Sequence, residues 1–202
     1  MSLATDGFSA MINALPMQCG QSLSRTTGVL QLIFFMYLFT PNIAWPNQSD
    51  GKENNGGFDL DTNPTDIDKI TEFKNFPHLK KYIEWIRDSR CYKSYGCDGG
   101  WDDGKFFAYI EFSFKKQELA KNRELYQKLF DDFELYSIRK FSPDIAASIV
   151  QSLCPEMAEF WLRETGDVFG YKIALWFRAQ NPEFADKLIG IFFDFLKLRD
   201  FS

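Results

Sequence analysis

The feature that most limits what this chain can become is Val29 to Phe39, VLQLIFFMYLF, an apolar run with Arg25 ahead of it and Pro41 behind. A helix needs roughly 20 apolar residues to cross a bilayer; this run falls well short and has the length of a signal-peptide core. Arg25 supplies a short basic stretch, and Thr40-Pro41-Asn42-Ile43-Ala44 ends on a small residue suited to cleavage. Met17 is a natural start, so the expected leader is Met17 to Ala44, and residues 1–44 are set apart from the folded domain. Asn42 is bulkier than the residue preferred three positions before a cleavage site. Left uncut, the same run would be a membrane anchor. On either reading the folded part is expected to work outside the cytoplasm, in the periplasm or tethered to the membrane.

Removing the leader leaves 158 of the 202 residues, enough for one domain with its own core. The full chain has 23 basic and 28 acidic residues, and the leader takes one of each with it, Arg25 and Asp6, so the net charge stays at −5. A mildly acidic domain has no electrostatic drive toward nucleic acid or anionic lipid, because phosphate binding depends on clustered Lys and Arg. The 22 phenylalanines call for a core of large rings.

Residues 45–66 are rich in Asn, Asp and Gly and almost free of aliphatic side chains, and Asn47-Gln48-Ser49 forms a glycosylation sequon. Such a segment cannot bury enough surface to offset its conformational entropy, so a flexible linker is expected there. From residue 67 to 202 the pattern reads as an all-α domain, a compact bundle of six or seven helices. Leu79, Tyr82, Ile83 and Ile86 follow Pro77 at helical spacing, ahead of a Gly- and Asp-rich loop, Gly96 to Gly104. Lys105–Phe114, KFFAYIEFSF, lacks clean alternation and shows no second strand to pair with, so it is read as a buried helix. Leu125, Leu129 and Phe133 form one stripe on a helix over Gln117–Tyr136. Ser142-Pro143-Asp144 combines an N-cap hydroxyl, a first-turn proline and a first-turn acid. Pro155 opens a short helix ended by Gly166, a further helix spans Asp167–Ala179, and Asn181-Pro182 opens the last.

Chemistry has few carriers. His78 is the only histidine, with no orienting carboxylate or nucleophile elbow near it in sequence, and reads as a solvated first-turn side chain. HExxH, P-loop and GxGxxG patterns are absent. Asp59-Leu60-Asp61-Thr62-Asn63 alternates oxygen ligands as calcium loops do, but Pro64 replaces the turn glycine and Ile70 the bidentate Glu. No metal, cofactor or enzymatic activity is therefore expected. A hydrolase built on Glu111 or Glu164 would need a second carboxylate at one site, and none is evident. The loop around Asp98, Trp101, Asp102 and Asp103 has a different use: tryptophan is a favoured anchor at protein interfaces, and acids beside it steer toward a basic groove. The plainer reading is a helix connection with Trp101 folded onto the core and Asp102 or Asp103 capping the next helix. Cys91, Cys97 and Cys154 lie beyond the leader, and an oxidising compartment favours one bridge among them, Cys91–Cys154 or Cys91–Cys97.

Tyr82-Ile83-Glu84-Trp85 leading to Cys91, then Asp102-Asp103-Gly104, Ala108-Tyr109-Ile110-Glu111-Phe112 and Leu153-Cys154 resemble the type VI secretion amidase immunity family, over about Pro77 to Cys154. The resemblance implies a small, periplasmic, all-helical protein, commonly dimeric, that binds and blocks a peptidoglycan-cleaving amidase toxin. It also implies that Cys91 and Cys154 are the paired cysteines. The linker and the C-terminal helices extend beyond that pattern.

Overall fold

The computed structural model describes Leu60, residues 63–161 and residues 168–199. The leader, most of the linker with its sequon, Asp59 and Asp61 of the calcium-like stretch, Glu164 and Gly166 lie outside the described residues.

Two 3₁₀ turns, Pro64–Lys69 and Thr71–Lys74, lead into α1 (Leu79–Asp88). The apolar spacing noted above holds here: Leu79, Tyr82, Ile83 and Ile86 are the buried residues of α1. The chain then departs from a helical bundle. Tyr92–Asp102 forms β1 and Lys105–Phe114 forms β2, followed by the short α2 (Gln117–Ala120), α3 (Arg123–Lys140) and α4 (Pro143–Gln151). Leu153–Trp161 and Val168–Ala179 form β3 and β4, and α5 (Pro182–Lys197) closes the described chain. The all-α expectation is thus overturned: three segments read as helices are strands of one antiparallel sheet, ordered β1-β2-β4-β3. The helical fold implied by the family resemblance fails with it, since Ala108–Phe112 runs along the middle of β2.

The turn between β1 and β2 shows why. Asp103 and Gly104 have φ of 46° and 71°, and Asp102 pairs with Lys105 across them. Positive φ at both central residues defines the type I′ turn, whose twist matches that of two antiparallel strands; Asp-Gly is one of its preferred pairs. Across β2 the even-numbered Phe106, Ala108, Ile110, Phe112 and Phe114 are buried, and on β4 the odd-numbered Ile173, Leu175, Phe177 and Ala179 face the same side. This face packs against α5, whose Phe192 ring meets those of Phe112, Phe177, Phe130 and Phe133 at centroid distances of 5.1 to 6.4 Å. Burying one such ring stabilises the fold by roughly 1.5–3 kcal/mol, so Phe192, in contact with two strands and α3, is the centre of the core.

On the opposite face Gly170 allows α2 to approach, since a Cβ there would stand 2.8 Å from Ala120 backbone and side-chain atoms. Tyr126 of α3 is fully buried, its ring 5.0 Å from that of Phe114 and its hydroxyl reaching the sheet, 2.8 Å from Ser113 Oγ and also bonded to the Tyr171 carbonyl. At the outer strand, Arg178 N–H donates to the Ser152 carbonyl at 3.0 Å, so the even residues of β3 bond to β4 and the odd ones turn their backbone groups outward. Pro155, which has no N–H, stands at an outward position and blunts this edge against further strand pairing.

The helix starts at Asn181 and Ser142 are where the sequence places them. Asn181 caps α5 by accepting from Phe184 N–H at 2.8 Å, whereas Ser142 makes no side-chain cap bond. Asn122 caps α3 through Leu125 N–H at 3.1 Å.

The expected disulfide is also corrected. No bridge joins Cys91, Cys97 and Cys154 to one another. Cys97 lies on β1 and Cys154 on β3, the two outermost strands, with Cys91 just before β1. Three strand spacings make about 14 Å, against the ~4.4–6.8 Å between Cα atoms that a disulfide spans. Cys91 and Cys97 are six residues apart along extended chain, roughly 20 Å, and are equally beyond reach.

Candidate functional site

The β1–β2 hairpin gathers three of the four residues singled out in the Asp- and Gly-rich loop. Trp101, Asp102 and Asp103 stand at its tip, all exposed, with Trp101 at 60 % accessibility. Trp101 rests edge-on against Phe106, 5.5 Å between ring centroids, and leaves most of its surface in solvent. It therefore does not fold into the core, and Asp102 and Asp103 cap no helix. The backbone beneath is regular: every residue from Gly96 to Asp102 is in register with β2. Asp98 is set apart. Its carboxylate accepts from Gly99 N–H at 2.7 Å and from the Asn75 side chain at 3.2 Å, tying β1 to the segment before α1. What the tip presents is one large ring and two carboxylates on a stiff two-stranded ribbon.

Other clusters fit chemistry less well. His78 has the carboxylate that its sequence neighbours do not provide. Asp186, on α5, lies 3.2 Å from His78 Nδ1 and also binds Lys81 Nζ at 2.7 Å and the Tyr82 hydroxyl at 2.6 Å. Burial pushes the Asp186 carboxyl up, but the hydrogen bonds from Lys81 and Tyr82 outweigh it and hold the group below the usual carboxylate range. Burial and the bond to Asp186 raise the Tyr82 phenol well above its ordinary value. The arrangement pins the start of α1 to α5. Only its apolar spacing was visible in sequence, because Asp186 is more than a hundred residues from His78.

Glu111 is likewise not the acid of a carboxylate pair. It lies on the sheet face away from α5, buried, with Lys172 Nζ 2.8 Å from its Oε2. Burial pushes the Glu111 carboxyl up and the Lys172 ammonium down, each opposed by the attraction of the other. Glu111 Oε1 has no hydrogen-bond partner among the described residues. Burial pushes the Cys97 thiol, on β1, up to about 12, which disfavours the thiolate form that a nucleophile needs. A shallow cleft of about 530 Å³ beside α1 is lined by groups already engaged with one another, Lys80 with Asp68 and Arg87 with Asp88. Among the described residues no group of three or more His, Cys, Asp or Glu is placed to hold a metal ion, and no helix is long and apolar enough to cross a membrane.

No family model, no curated protein and no solved structure matches this chain.

Proposed function

We propose that this chain is an exported binding protein that neutralises a secreted enzyme by seating its β1–β2 hairpin in the enzyme's cleft. The observation that carries the reading is Trp101, 60 % exposed on a regular hairpin tip and flanked by Asp102 and Asp103. Most of the Trp101 ring meets solvent, and its one ring contact among the described residues is with Phe106. A large ring with few rotatable bonds on a stiff support loses little entropy when a partner covers it, which is why such residues dominate binding energy. The two acids favour a basic cleft and speed encounter with it. Export rests on the Val29–Phe39 leader, and the choice of a cell-wall amidase toxin as first candidate rests on the resemblance of the short motifs alone.

The test is direct. The mature chain from Trp45 onward is titrated into purified secreted peptidoglycan amidases while substrate turnover is followed. Saturable inhibition by the native chain, lost with Trp101→Ala, supports the proposal. Inhibition that survives the substitution unchanged removes the hairpin from it, and no effect on any amidase removes the amidase.

A further inference from the structure

We draw no further inference here: the strongest candidate, the half-buried ring cluster of Phe107, Tyr109 and Trp176 beside Arg178 on the sheet face away from α1, α3 and α5, is an unpartnered face, and nothing in the structure shows what covers it.

Discussion

The carboxylate of Glu111 on β2 and the ammonium of Lys172 on β4 meet at 2.8 Å where the two hairpins join, and both side chains are over nine-tenths buried. β2 and β4 belong to different halves of the chain, so this pair links segments 61 residues apart. Removing one partner strands a charge in the sheet. Lys172→Met is expected to cost about 3–5 kcal/mol, while Glu111→Leu combined with Lys172→Met is expected to be close to neutral or stabilising. Urea denaturation of the two single variants and the double variant checks this. A double variant as unstable as either single one would show that the pair earns its place by net attraction.

The Asp186 cluster sets a pH dependence. Because its folded-state pKa lies below the unfolded value, Asp186 contributes stability that is fully present above the ordinary carboxylate pKa of about 3.9 and is lost as pH falls through the lowered value. Asp186→Asn is expected to cost about 1–2 kcal/mol at neutral pH, since the group is partly exposed, and to flatten the acid limb of the stability profile. Denaturation midpoints between pH 2 and 7, native against variant, read both effects. Parallel curves would mean that another carboxylate governs acid unfolding.

Substitutions at the turn test folding apart from the proposed recognition. Gly104 has open space where a Cβ would go, so Gly104→Ala is opposed only by its positive φ and is expected to cost about 1 kcal/mol. Asp103→Asn creates Asn-Gly, another preferred type I′ pair, and should leave stability within about 0.5 kcal/mol while removing one tip charge. Thermal melts of both variants decide it. A large loss for Asp103→Asn would mean that the carboxylate itself supports the turn.

Trp101 makes the opposite demand. Its one ring contact among the described residues is with Phe106, so Trp101→Ala should change stability by no more than about 0.5 kcal/mol. The same change should weaken partner binding by about 2 kcal/mol or more, roughly 30-fold. A severe drop in melting temperature would make Trp101 a structural residue and remove the reason for its exposure.

The parts of the fold legible in sequence are those whose signals are local. Leu79, Tyr82, Ile83 and Ile86 sit at helical spacing and are buried together on α1, while Pro143 and Pro182 open α4 and α5 where the caps and prolines place them. The strands were harder to see because their partners are distant. On β2, Phe107 and Tyr109 are half-buried on the face opposite Phe106 and Ala108, so ring-rich residues occupy both sides and the alternation fades. Its central partner β4 begins over fifty residues after it ends. One signal nevertheless stands in the sequence: Asp103-Gly104 ahead of the ring-rich run Phe106 to Phe112 is a hairpin turn. On β4 the five consecutive apolar residues Ile173 to Phe177 hide the alternation between the two faces. At the candidate site, composition alone marked Trp101, Asp102 and Asp103, but only the register with β2 separates them from Asp98, which the fold uses to hold Asn75.

The most direct measurement is a paired capture from a periplasmic fraction, using the chain from Trp45 onward in native form and as Trp101→Ala, with bound proteins identified by mass spectrometry. The result expected is near-stoichiometric recovery of one secreted cell-wall hydrolase by the native chain and its loss from the variant. Equal recovery by both baits would contradict hairpin recognition, and recovery of envelope structural proteins alone would contradict an inhibitory role.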